Sequence, residues 1–211
     1  MQGVLPAGAA FPKLDDATRF VAMVAAAKSP AQAKAAAAQV QKILAADPGY
    51  VPALMVSAVL QEQQGDFAGA RQLYEKILAA NPLFVPATRQ LAVLCGRHLG
   101  DDPKAYELAV KAREAFPDDP EVARTLGVLA CRRGDYSRAA QLLSQSAQKL
   151  SGDGELLYYC GIAQYQLSKT AAGQQKGVYR NESKKALQGA LALNLQAKLA
   201  DDARKVLAEL K

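Results

Sequence analysis

The feature that most constrains the fold of this chain is a regular spacing of helix-ending residue pairs. These pairs recur at intervals of 34, 35 and 34 residues, and they are Asp47-Pro48, Asn81-Pro82, Phe116-Pro117 and Leu150-Ser151. A period of this length is typical of repeat proteins, in which each unit is one supersecondary element stacked on its neighbours. Five such units would occupy about 170 residues of the 211 in the chain. The sequence therefore predicts an array of repeats.

Each unit is predicted to be a hairpin of two helices. Small residues recur at the eighth position of the units and alanine at about the twentieth, and these are Ala58, Ala92, Gly127 and Gly161, then Ala36, Ala70, Ala105 and Ala139. Small residues at both places let two helices cross closely. Between them stand Gly65-Asp66 and Gly134-Asp135, where glycine ends one helix and aspartate caps the next.

The composition favours helices and excludes several other classes of protein. Alanine and leucine, which rank high in helix propensity, are abundant, while aromatic residues make up only 6% of the chain. A hydrophobic fraction of 50% with 22% charged residues is typical of a folded domain. The longest apolar run, at 20–27, is far shorter than the roughly 20 residues that span a bilayer. An all-α protein without a membrane span is expected.

The best-preserved unit is 120–153, which carries Leu126-Gly127, Gly134-Asp135-Tyr136 and Ala139-Ala140. These residues resemble the tetratricopeptide repeat (TPR) family, in which they stand at positions 7 and 8, 15 to 17, and 20 of the unit. The resemblance implies an all-α, right-handed superhelix, or α-solenoid, of about five hairpins and a C-terminal capping helix. The alanine-rich composition suggests a bacterial source.

The domain boundaries follow from the repeat. Residues 1–13 are predicted to be a linker or leader and 14–211 a single TPR domain. Its units are 17–50, 51–84, 85–119, 120–153 and 154–194, and 195–211 forms the capping helix. The third unit gains one residue around Leu99-Gly100-Asp101.

The fifth unit is expected to be interrupted by a loop at 168–181, which lacks helical periodicity. The stretch 169–185 holds five basic residues and one acidic residue, a net of +4 out of +6 for the whole chain. Lys169, Lys176 and Arg180 make this loop a candidate binding element, although a flexible excursion into solvent is the simpler interpretation.

No catalytic or metal site is predicted. His98 is the only histidine, and no glycine-rich phosphate loop is present. Three cysteines, with no pair spaced as C-x-x-C, indicate neither a disulfide framework nor a zinc site, so reduced and buried thiols are expected. We therefore expect no enzymatic activity and no cofactor.

The resemblance implies a partner-binding groove lined by the first helix of each unit. The residues at the corresponding positions are Met55, Val59, Arg89, Val93, Arg97, Arg124, Val128, Arg132, Tyr158, Ile162 and Tyr165. The valines would form an apolar floor, and the four arginines would bind carboxylates bidentately. The expected partner is a protein or peptide segment with acidic and apolar side chains, held by a scaffold without chemistry of its own.

Two alternatives remain open from the sequence. One is a self-associating structural module of an envelope, secretion or pilus assembly, which would make the chain a homo-oligomer. The other is nucleic-acid binding through the basic loop and the arginine groove, which is less favoured because no aromatic stacking surface accompanies the arginines. The compartment stays open: cytoplasmic by default, or periplasmic if a signal segment has been removed.

Overall fold

The computed structural model describes residues 30–100 and 102–210, with side chains from residue 34 onward. All regular structure in these residues is helical. The α-helices are α1 (Pro30–Ala46), α2 (Val51–Gln63), α3 (Phe67–Ala80), α4 (Val85–Leu94), α5 (Asp102–Ala115), α6 (Pro120–Arg132), α7 (Tyr136–Ala147), α8 (Gly154–Thr170), α9 (Gly173–Leu191) and α10 (Ala197–Glu209). The predicted linker 1–13 and the first helix of the first predicted hairpin lie outside the described residues.

The chain divides into two compact units, each larger than one repeat. The first unit is Met1–Asp101, and the second unit is Asp102–Lys211. In the first unit, α2 packs against α1 and α3, and α3 packs against α4. In the second unit, α6 packs against α5 and α7, α8 packs against α6, α7 and α9, and α10 contacts both α8 and α9. The two helices of the third predicted hairpin, α4 and α5, belong to different units.

The turns inside the hairpins have the residues that their geometry requires. Gly65 and Gly134 adopt left-handed φ angles of 80° and 83°, which only glycine reaches without strain. The following aspartates cap the second helices, since Asp66 Oδ1 accepts a hydrogen bond from the Gly69 amide at 2.9 Å. Asp135 Oδ1 accepts one from the Arg138 amide at 3.2 Å. The hairpin turns are therefore as predicted.

The small residues in the first helices allow close crossing, also as predicted. A Cβ atom added to Gly127 would lie 2.7 Å from Leu143 Cγ on α7. One added to Gly161 would lie 2.6 Å from Leu187 Cγ on α9. Because real Cβ atoms do not approach so closely, both pairs of helices pack at a distance that requires glycine.

The extra residue of the third repeat, 85–119, is accommodated by a change of helix type. After α4 the chain forms a π-helical turn, Cys95–Leu99, and ends at Gly100 with a φ of 63°. A π-helical turn is wider than an α-helical turn and takes in one additional residue. Gly100 thus keeps the left-handed conformation at the turn although the repeat is one residue longer.

The predicted loop at 168–181 is wrong, because nearly all of this segment is helical. Only Ala171 and Ala172 separate α8 from α9. The two helices have 17 and 19 residues, against 13 and 12 in α6 and α7. Extending an existing helix needs no new nucleus, and Gln, Lys and Arg are good helix formers. The sequence of 168–181 lacks apolar periodicity because most of these residues, including all of 172–178, are exposed to solvent.

The last described helix closes an apolar cluster of the second unit. Ala203 and Val206 of α10, and Leu210 directly after it, are buried in one cluster with Leu187 and Ala190 of α9. Packing of this kind covers an apolar surface that the end of a repeat array would otherwise expose. None of the described helices is long and apolar enough to cross a membrane.

Candidate partner-binding surface

Two of the predicted groove residues in the first unit are core residues. Met55 is 4% exposed and Val59 is 7% exposed. Val59 packs in one cluster with Val40 of α1 and Val56 of α2. Their assignment to a partner-binding surface is therefore corrected, because both side chains are buried, Val59 by packing between α1 and α2.

The other three residues of the first unit reach the surface. Arg89 and Val93 on α4 are half-buried, and Arg97 in the π-helical turn is exposed. They are spaced by four residues, which places neighbours on the same side of a helix. An apolar side chain is therefore flanked by two guanidinium groups on one face of the first unit.

A polar cluster supports this face from the second helix of the preceding hairpin. The buried Tyr74 hydroxyl donates a hydrogen bond to Glu62 Oε1 at 2.5 Å. Burial, and then the charge of Glu62, raise the pKa of Tyr74, so the hydroxyl stays a donor. Arg89 Nη1 donates to Gln90 Oε1 at 2.5 Å. The hydrogen bond to Gln90 limits the orientations that Arg89 can adopt.

Arg124 in the second unit does not reach a partner. Its side chain is 6% exposed, and its Nε lies 2.6 Å from Asp153 Oδ2. Its Nη2 lies 2.7 Å from Glu155 Oε2. Burial acts to lower the pKa of Arg124, but hydrogen bonds and charge from the two carboxylates outweigh it and raise the pKa above its usual value. The prediction that Arg124 binds a partner's carboxylate is corrected, since this chain supplies the carboxylates.

Arg132 is exposed but is also paired within the chain. Its Nη1 lies 2.9 Å from Asp102 Oδ1, and its Nη2 lies 3.8 Å from Glu155 Oε1. Its Nε donates to the Tyr159 hydroxyl at 3.1 Å. With Arg124 and Asp153, these groups form a network of two arginines and three carboxylates. The second unit therefore lacks the cationic groove that the sequence predicted.

Four further groove residues are also removed from the predicted surface. Val128, Tyr158 and Tyr165 are buried, and Ile162 is partly buried against the same clusters. The Tyr158 hydroxyl donates to Asp202 Oδ2 at 2.6 Å, and Tyr165 donates to Glu209. α10 packs against α8 and covers Tyr158 and Tyr165. Val128 on α6 is instead buried in a cluster with residues of α7 and α8.

Asp202 and Glu209, which accept hydrogen bonds from the two tyrosines, were not among the predicted site residues. Burial, and then the hydrogen bond to Asp202, raise the pKa of Tyr158. The only signal for these pairs was the placement of two acidic residues beside the apolar face of the amphipathic segment 195–211.

The basic residues of the predicted loop lie on the extended hairpin of α8 and α9. Lys169 is exposed, with its amine 4.2 Å from the centre of the Tyr165 ring. Lys176 is exposed, and the half-buried Arg180 donates to the Glu209 carbonyl at 3.4 Å. These cations thus lie on regular helices, and Lys176 is directed to solvent.

A second group that was not predicted joins Tyr106 on α5 to Arg133 at the end of α6 and Arg138 in the first turn of α7. The guanidinium carbon of Arg133 lies 3.9 Å from the centre of the Tyr106 ring, and that of Arg138 lies 5.8 Å from it. Arg138 Nη1 also donates to the Tyr106 hydroxyl at 2.9 Å. Nothing local in the sequence indicates this group, because Tyr106 belongs to the preceding repeat.

The three cysteines and His98 are packed against neighbouring residues of the fold. All three cysteines are reduced and buried, as predicted. Burial raises the pKa of Cys131 to about 11, so its thiol stays protonated at neutral pH and is a poor nucleophile. His98 stacks on Phe67 with ring centres 4.0 Å apart. Within the described ranges, no three His, Cys, Asp or Glu side chains are grouped so that they could hold a metal ion.

The sequence profile of the tetratricopeptide repeat family matches residues 24–94 and 61–129, which together make up half of the chain. The chain belongs to this family. TPR proteins are generally non-catalytic modules for protein interaction. No curated protein sequence matches this one.

Several solved TPR structures share the fold. YrrB, described as a TPR protein with an unusual peptide-binding site, is 18% identical with a TM-score of 0.59, over 93% of this chain and 92% of its own. MamA of AMB-1 is 19% identical with a TM-score of 0.60, over 83% of this TPR chain and 96% of its own. PilF of Pseudomonas aeruginosa is 15% identical with a TM-score of 0.60, over 92% of this chain and 87% of its own. At these identities the likeness shows the fold alone.

Proposed function

We propose that this TPR protein is a non-catalytic scaffold that binds a segment of a partner protein. The binding surface is formed by α4 and the π-helical turn that follows it. The observation that carries the proposal is the stripe of Arg89, Val93 and Arg97. It places a half-buried apolar side chain between two arginines on α4 and the π-helical turn that follows. Turns of π-helix occur frequently at functional sites.

The stripe favours a partner segment with one apolar side chain flanked by acidic ones. An apolar side chain would cover the exposed part of Val93 and remove apolar surface from water. Arg89 and Arg97 are eight residues apart, so carboxylates spaced by about 12 Å, or about two helical turns, would reach the two guanidinium groups. Charge-assisted bonds of this kind are the strong ones. The peptide-binding site named for YrrB, which shares this fold, is consistent with such a role.

Charge reversal on the stripe tests the proposal. The variant Arg89→Glu with Arg97→Glu should lose proteins that the wild-type chain captures from the native organism, because two attractive contacts become repulsive. Lys34→Glu with Lys42→Glu is the matched control, since both lysines are exposed on α1 of the same unit. Captured proteins are compared by mass spectrometry, and circular dichroism checks that both variants keep their helices.

The proposal is wrong if a folded stripe variant captures the same proteins as the control. Light scattering on the purified chains separates the self-association alternative. If the wild-type chain is an oligomer and the stripe variant is a monomer, then the occupant of the stripe is a second copy of this chain.

A further inference from the structure

Arg133 and Arg138 in the second unit are held on one tyrosine ring. Arg133 lies over the face of Tyr106 at 3.9 Å, while Arg138 donates a hydrogen bond to the hydroxyl of the same ring. Cation–π contact and the hydrogen bond restrict both side chains without neutralising either charge. Two guanidinium groups are therefore held at one tyrosine ring, and both arginines are exposed.

Neither guanidinium forms an ion pair with a carboxylate among the residues that the structure describes. The neighbouring Arg132 differs, since it pairs with Asp102 at 2.9 Å. Like charges held close together repel each other, and an anion placed between them removes that repulsion. The fork of donors on each arginine matches the two oxygens of a carboxylate. The arrangement is thus complementary to an anion that this part of the chain does not supply.

We propose that Arg133 and Arg138, oriented by Tyr106, form a binding site for side-chain carboxylates of an acidic protein segment. The site lies at the turn between α6 and α7, in a different unit from the stripe on α4, and does not depend on the function proposed for that stripe. An acidic segment fits better than single-stranded nucleic acid, because Arg133 covers a face of Tyr106 on which a base would stack.

The test uses the 211-residue chain and a fluorescein-labelled decapeptide of glutamate, with a decapeptide of glutamine as the uncharged reference. Fluorescence anisotropy at an ionic strength of about 0.15 M, where the Debye length is about 8 Å, gives the dissociation constants. Arg133→Gln with Arg138→Gln should weaken binding of the glutamate peptide roughly tenfold or more, since it removes the charge-assisted bonds. Tyr106→Phe keeps the ring but removes the hydroxyl that Arg138 contacts, and should weaken binding by a smaller factor.

The matched control is Lys198→Gln with Lys205→Gln, which removes the same charge from exposed positions on α10. It should change the affinity less than about twofold, as expected for distant and screened charges.

The proposal is overturned if both double variants lose affinity equally, or if the wild-type chain binds the two peptides alike. It is also overturned if a ten-residue oligo-dT binds more tightly than the glutamate peptide and only its binding depends on the two arginines. A lower melting temperature of the arginine variant with unchanged peptide binding would instead mean that these arginines only pack on Tyr106.

Discussion

At the scale of single residues, Arg124 shows that a charge on a first helix can serve the contact between repeats. Its guanidinium group joins α6 to the residues at the start of α8, Asp153 and Glu155. Asp153 also caps α8 by accepting a hydrogen bond from the Leu156 amide at 2.9 Å. One buried arginine therefore helps to fix the position of the next repeat.

Arg124→Met should lower the free energy of unfolding by roughly 1–3 kcal/mol. The substitution leaves two carboxylates without their cation, and the loss stays below that of a fully buried pair because water still reaches both acids. Arg132→Met is the matched control and should cost less than about 1 kcal/mol, since its pair with Asp102 is half-exposed. Urea denaturation measures both values, and equal losses would contradict the structural role of Arg124.

At the scale of elements, the extended hairpin of α8 and α9 is the feature that distinguishes this chain from a regular array. Its last repeat lengthens both helices where a loop was expected, so that basic side chains project from regular helices. Gly177 lies within the exposed half of α9, and a Cβ atom there would meet no neighbouring atom. The helical state of this segment can thus be tested at one residue.

Gly177→Ala should raise the free energy of unfolding by roughly 0.5–1 kcal/mol, because alanine loses less conformational entropy in a helix. Gly127→Ala is the contrasting variant and should lower it by roughly 1–3 kcal/mol, since its Cβ would overlap Leu143. Both are measured by chemical denaturation. A loss of stability in Gly177→Ala would contradict a helix at this position.

At the scale of the whole molecule, the chain consists of two units, and the packing of the second depends on α10. This helix occupies the side of α8 that the sequence assigned to a partner, and it buries the side chains of Tyr158 and Tyr165. The apolar cluster beneath it would be exposed if α10 detached. Large exposed apolar patches promote association of proteins.

Ala203→Glu should detach α10, because Ala203 is fully buried against the cluster and a charge there would be desolvated. We expect a loss of roughly 2–4 kcal/mol in unfolding free energy, together with aggregates in light scattering. Ala208→Glu on the same helix is the control, since Ala208 is exposed and should change stability by less than about 0.5 kcal/mol. Identical behaviour of the two variants would show that α10 is not needed to cover the cluster.

Most of the hairpin architecture could be predicted from the sequence, whereas most of the candidate site could not. Gly134 and Asp135 specify a turn through their own backbone and side-chain chemistry, and Gly127 indicates close crossing wherever it stands in a helix. The helical state of 173–181 could not be read in the same way, because an exposed helix has no apolar period. The arginines were placed on the correct helices, but nothing near them in the sequence indicated their partners.

The sequence by itself determined the repeat period, the helical hairpins and their turns, and hence the family. These features depend on local interactions among residues within one unit. Only the tertiary structure decided which side chains remain at the surface, because Arg124 meets Asp153 and Tyr158 meets Asp202 across separations of 29 and 44 positions. Such contacts depend on how successive repeats pack, and the packing directs Arg124 into the protein while it leaves Arg97 and Arg133 exposed.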